Sequence, residues 1–201
     1  MKYLTTLLVI FVIVFVWSAI NPHDYLTWLL EVIPGVIGLL ILAVTFKNFR
    51  FTDLVYTLIL IHCCILFVGG HYTYAEVPLF DWIRDVLHQS RNNYDKVGHL
   101  AQGLVPALII RELFIRKKVV NKRGWLNFIV VSICMAISAT YEFIEWFVSI
   151  ATGSAGDSFL GTQGYIWDTQ SDMLYATIGA ILCILIFSRY QDMQIRKITP
   201  G

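Results

Sequence analysis

Three short stretches carry paired ionisable groups at helical spacing. Asp95 and His99 stand four residues apart in "DKVGHLAQG", Glu142 and Glu145 three apart in "YEFIEW", and Asp168 and Asp172 four apart in "GTQGYIWDTQSDM". On a helix each spacing puts both members of a pair on one face. His71, in "GGHYTYAEVPLF", adds a second imidazole. Imidazole nitrogens mixed with carboxylate oxygens suit zinc or manganese better than calcium. A cation so held activates water or polarises a substrate. The expected metal ligands are His71, Asp95, His99, Glu142, Asp168 and Asp172, and the groups expected to carry catalysis are Glu142, Glu145 and Asp172.

Each of these residues also has a purely structural use. Asp168 suits the N-cap of a following helix, and Asp95 suits the cap of an earlier one. Lys96 has the length to snorkel to a membrane interface. Asp172 lies a full turn beyond capping reach, and capping does not account for His99. Glu142 and Glu145 fall towards a helix C-terminus, where the macrodipole disfavours carboxylates. His62, alone in an apolar run, reads as a packing residue, and Asp157 as a turn former.

The elements that position these groups are membrane spans. The chain of 201 residues is 57% apolar and only 14% charged, far from the balance of a soluble domain. A net charge of +1 argues against nucleic acid as a partner, because phosphate binding needs a concentrated basic surface. Crossing a bilayer takes about 20 helical residues. Six stretches qualify, at about 3–20, 26–46, 53–70, 97–115, 125–150 and 169–188. The first is too long and too poor in small residues for a cleaved signal peptide. Cys63, Cys64, Cys134 and Cys183 all fall within spans, so they pack as small apolar residues rather than forming disulfides or a zinc site.

Lys and Arg give the direction. Lys2, Lys47, Arg50, the basic run "RKKVVNKR", Arg189, Arg196 and Lys197 share one side. Both termini are therefore expected in the cytoplasm. After Pro78, the residues Leu79, Trp82, Ile83, Val86 and Leu87 recur at helical spacing, which predicts an interfacial helix over about 78–90 in the third connection. Every paired group above then lies in the outer leaflet, with almost nothing comparable in the inner halves. The expected fold is one all-α domain over 1–201: a polytopic membrane protein with six transmembrane helices. Gly35, Gly38, Gly98, Gly103 and Gly179 mark close helix contacts, within one chain or across a homodimer.

"HYTYAEVPLFDW", "NNYDKVGHLAQG", "YEFIEW" and "GTQGYIWDTQSDM", in that order, resemble the YjdF-type family of bacterial inner-membrane proteins over most of the chain from residue 50 onward. That resemblance implies a multi-pass protein of the cytoplasmic (inner) membrane and no particular reaction. A more distant pattern is similar to the VanZ-like membrane proteins. Asp95, Lys96 and His99 match its first segment and Glu142 its second, whereas Glu145 stands where it has Gln and Ala176-Thr177 lack its Asn.

Carboxylates inside a membrane are costly and need compensation by a cation, a proton, a paired base or water. One reading is therefore a metal-dependent enzyme acting on membrane lipid or a lipid-linked, amphiphilic substrate. A second is a proton- or cation-coupled transporter of a small solute. A third is an accessory subunit whose polar groups satisfy one another.

Overall fold

The computed structural model describes residues 2–152 and 165–199, and these are helical with no strand among them. The elements run α1 (Lys2–Ser18), α2 (Tyr25–Thr45), α3 (Asp53–Tyr72), a 3-10 turn (Tyr74–Glu76), α4 (Pro78–Val86), α5 (Tyr94–Arg116), α6 (Arg123–Thr152) and α7 (Asp168–Leu182). A π-helical segment, Cys183–Phe187, joins α7 to α8 (Ser188–Ile198). Among the described residues five helices are long and apolar enough to cross a membrane: α2, α3, α5, α6 and the continuous α7–α8 rod. At 17 residues, α1 is shorter. The glycine-rich stretch 153–164, with Asp157, lies outside the described residues.

Local sequence explains where the helices start. Asp24 caps α2 by accepting the Thr27 N–H at 2.7 Å, and that bond holds its carboxyl below the usual carboxylate range. Pro78 opens α4, where its missing N–H costs nothing. α4 ends at Val86, four residues earlier than the expected 90. Leu79, Trp82 and Val86 on α4 remain exposed, while Phe80 packs edge-on against Tyr94 and Asn92 bonds to Val77 and Asp81.

α5 is the central helix and packs most extensively on α7. Glycines permit this: a Cβ on Gly103 would overlap the Ala176 carbonyl, and one on Gly179 the Leu100 carbonyl. With lipid outside rather than water, such close backbone contact is what holds helices together. Gly38 meets nothing within 4 Å, so it marks no helix contact within the chain.

Along the bundle axis the interior falls into three layers. Polar side chains from the start of α5, the start of α7 and the end of α6 form the first. Val55, Ala107, Leu108, Val130, Cys134, Ala176, Ala180 and Cys183 form an apolar middle layer. A second polar group fills the other end, contrary to the expectation that the inner halves hold almost nothing comparable. There Glu112, fully buried, accepts from the Thr52 N–H (3.0 Å), the Thr52 hydroxyl (2.7 Å) and Arg116 (2.9 Å). Buried Arg111 donates to Gln191 (2.8 Å) and Asp192 (2.6 Å). Arg111 and Glu112 stand at the end of a span, where the basic residues of a cytoplasmic rim are expected; helix packing turns them inward instead.

Candidate functional site

The first polar layer encloses a cavity of about 240 Å³. α5 contributes Asp95, His99 and Gln102; α6 contributes Tyr141, Glu142 and Glu145; α7 contributes Asp168, Thr169 and Asp172. Glu31 of α2, His62 of α3 and Tyr74 of the 3-10 turn line the far side, above an apolar floor of Pro34, Leu66, Pro106 and Ile137.

His99 is the hinge of the arrangement. Its Nδ1 is 3.0 Å from Gln102 Oε1, an acceptor, so Nδ1 carries the proton. Its Nε2 then faces two carboxylates, Asp95 Oδ1 at 3.2 Å and Asp172 Oδ2 at 3.9 Å. A bare lone pair directed at two anions repels them. Either Nε2 is protonated as well, making an imidazolium clamped between carboxylates, or a cation bridges the three groups. Ligand atoms of Asp95, His99 and Asp172 all lie within 4.8 Å of one another. Tetrahedral zinc with ligand bonds of about 2.0 Å spaces its donors about 3.3 Å apart, so small rotamer adjustments complete the set.

Lys96 points into the neighbouring gap. Its ammonium donates to Asp168 Oδ1 (2.9 Å), Ser171 Oγ (2.6 Å) and Asp172 Oδ1, with the Tyr165 ring 5.5 Å away. Only 8% of the residue is exposed, so Lys96 does not snorkel; its amine is committed to α7. Arg91 reaches the same Asp168 oxygen at 2.8 Å. Asp168 is the first residue of α7, Trp167 holds the cap position without a side-chain cap bond, and the Asp168 carboxylate serves Arg91 and Lys96 instead. Asp95 likewise does not cap α5: Asn93 holds that position.

Six carboxylates line the cavity, Glu31, Asp95, Glu142, Glu145, Asp168 and Asp172, whereas Lys96 and Arg91 are the permanent cations beside them. Two like charges 4 Å apart repel by roughly 4 kcal/mol at an effective dielectric of 20. Two of the carboxylates are also incompletely bonded. Among the described residues Glu142, 8% exposed, has no hydrogen-bond partner at Oε1, and Glu31, 4% exposed, is bonded to the Tyr74 hydroxyl but has none at Oε2. An unbonded buried carboxylate oxygen is expensive. The cavity therefore has both the charge and the free acceptors to take up a cation.

Comparison with known proteins places the chain. A model for a family described as "Predicted membrane protein (DUF2238)" matches residues 3–193. The chain belongs to this family. It is 46% identical over 185 residues, 92% of this chain and 88% of the relative, to the "Inner membrane protein YjdF" of Escherichia coli (strain K12). No solved structure matches. The chain is thus an integral, multi-pass membrane protein, and the inner-membrane localisation expected from the sequence agrees with the relative's name.

The expected site residues divide accordingly. Asp95, His99, Glu142, Glu145, Asp168 and Asp172 all line the one cavity. His71 does not: its ring lies tilted against Trp17 at 4.5 Å and its Nδ1 lies 3.1 Å from the Ser18 carbonyl, tying the C-terminal ends of α1 and α3 together. His62, expected to be a packing residue, lines the cavity instead. Glu31 was missed, although its signal was available, because it is the sole acidic residue in the apolar run of α2. Lys96 was assigned to the interface because a span's end is where a lysine is cheap.

Proposed function

We propose that the cavity is a divalent-cation site, zinc or manganese, and that the protein is a metal-assisted enzyme acting on a phosphate- or ester-bearing headgroup of a lipid or lipid-linked substrate. The observation that carries this reading is the convergence of His99 Nε2, Asp95 and Asp172. Gln102 fixes the imidazole tautomer, the usual work of a partner behind a metal ligand. Lys96 engages Asp172 through Oδ1 and leaves Oδ2 towards His99. The ion would supply an activated water. Glu142, with its unbonded buried oxygen, is the group to take the proton from that water, and Glu145 stands one turn beyond it on the same cavity wall.

Cavity size and composition support an amphiphilic substrate. Small-molecule pockets run to about 300–1,000 Å³, so about 240 Å³ accepts a headgroup and leaves acyl chains outside. In this reading α4, whose Leu79, Trp82 and Val86 are exposed and whose Phe80 packs on Tyr94 at the start of α5, serves as an interfacial gate. In this reading the chain crosses the membrane six times with both termini cytoplasmic. α1 supports the sixth crossing because it runs alongside α3 for its whole length: Tyr3 bonds Thr57 at one end, Phe11 meets Phe67 at 5.1 Å midway, and Trp17 lies against His71 at the other.

A proton- or cation-coupled transporter is the second reading, with His99 as imidazolium. An apolar cavity of about 460 Å³ shares Pro34, His62, Leu66 and Pro106 with the polar one and runs on to Phe49 and Leu113, but its lining offers almost no polar groups to an ion, which counts against this reading. Metal analysis of detergent-purified protein tests the proposal. About one zinc or manganese per chain is expected, lost in His99→Ala and in Asp172→Asn. A wild type that holds no ion under generous supply of both metals contradicts it, and uptake by proteoliposomes under a pH gradient then tests the transporter.

A further inference from the structure

At the end of the bundle opposite the carboxylates lies a second cavity, of about 440 Å³, between the end of α5, the start of α6 and α8. Arg111, Lys118, Arg123, Arg189 and Arg196 line it, against the single carboxylate of Asp192. Nothing in the metal-site reading uses this cavity. Arg111 and Asp95 are sixteen residues apart on one helix, which is about 24 Å at 1.5 Å per residue, so the two sites are separate.

We propose that this basic cavity binds the phosphate group of an anionic ligand, with an anionic phospholipid headgroup as the occupant its walls fit. Arg111 is a built floor rather than a loose surface charge. It is 5% exposed, its two terminal nitrogens are held by Gln191 and Asp192, and its Nε has no partner. Gln191 is itself fully buried and anchored on the Leu108 carbonyl at 2.8 Å. Above that floor, four further cations among the described residues face the one anion, which Arg111 and Arg123 already share. Ile115, Leu126 and Ile195 supply an apolar wall for the glycerol and upper acyl segments. Basic pockets between helices at a cytoplasmic interface are where anionic headgroups bind, because that leaflet carries the negative lipid.

Lys118 is one of those four cations. The chain leaves α5 through a left-handed residue at φ 53°, with Val119 N–H bonded to the Phe114 carbonyl at 3.0 Å. Glycine normally fills that position because a side chain there is strained. That turn sets the lysine on the cavity rim.

Native mass spectrometry of the full chain in detergent, titrated separately with phosphatidylglycerol and phosphatidylcholine, tests the proposal. The wild type should prefer phosphatidylglycerol by about tenfold or more. Lys118→Gly/Arg189→Gln/Arg196→Gln should lose most of that preference, while Lys2→Gln/Lys47→Gln, which removes charge from the same end outside the cavity, should keep it. Lys118→Gly alone should weaken binding without lowering Tm, because glycine relieves the turn. Inorganic phosphate at millimolar concentration separates the sources: displacement of the lipid identifies the phosphate group alone as the ligand, and no displacement identifies the lipid. Equal retention of the two lipids by the wild type, or full retention of phosphatidylglycerol by the triple variant, overturns the proposal.

Discussion

Replacing Lys96 by Met is the sharpest test of how the first polar layer is held together. The ammonium is buried and serves three acceptors: Asp168, Ser171 and Asp172. Removing one partner of a buried pair costs about 3–5 kcal/mol, because the remaining charge stays desolvated. In metal-free protein Arg91 still holds Asp168 at 2.8 Å, so the unpaired charge is chiefly that of Asp172 and the lower end, about 3 kcal/mol, applies. For a chain of this size each kcal/mol moves Tm by about 2–4 °C, which gives a loss of about 6–12 °C. Thermal unfolding of the detergent-purified protein reads this directly. Asp172→Asn on the Lys96→Met background removes the stranded charge and should recover a large part of the loss, a coupling of about 1–3 kcal/mol. A Lys96→Met variant within 1 °C or so of wild type, or a double variant no better than the single one, refutes the assignment of Lys96 as the counter-ion of α7.

Three further outcomes follow from the fold. Gly103→Leu places a side chain where the Ala176 carbonyl sits, so α5 and α7 must separate; the overpacking cost of about 1–3 kcal/mol or more should appear as loss of monodisperse protein on size exclusion, whereas Gly38→Leu should be tolerated. Asp24→Ala removes the α2 cap and about 1 kcal/mol. The Thr27 N–H bond lowers the folded carboxyl's pKa, so the cap's contribution is present above the ordinary carboxylate value of about 3.9 and fades as pH falls through the folded value; the gap between wild type and Asp24→Ala in pH-dependent unfolding should narrow at the acid end. Reporter fusions truncated after Lys118 should read cytoplasmic and those after Gln89 external, and the reverse would invert the proposed orientation.

Much of the architecture is legible in the sequence because hydrophobic length is a one-dimensional property. The spans drawn at 26–46, 53–70, 97–115 and 125–150 differ from α2, α3, α5 and α6 by three residues or fewer at each end. Pairs on one helix were equally readable: Asp95 and His99 meet because four residues bring them onto one face. Azimuth between helices is what one sequence does not carry. His71 lies at the right depth but faces Trp17, while His62, nine residues earlier on the same helix, faces the cavity. Lys96 sits about 100° around α5 from Asp95, and only the position of α7 shows that this direction is occupied by Asp168 and Asp172. Arg111 and Glu112 were hidden by their context, since charges at a span end are unremarkable until packing buries them.

In the proposed site His99, Asp95 and Asp172 hold one metal ion. X-ray absorption at the zinc edge on protein reconstituted with one equivalent of zinc measures that coordination directly. The account predicts one imidazole nitrogen at about 2.0–2.1 Å together with carboxylate or water oxygens at about 2.0–2.2 Å, with the imidazole signal absent in His99→Ala. Sulfur scattering from a cysteine, or an imidazole signal that survives His99→Ala, contradicts it.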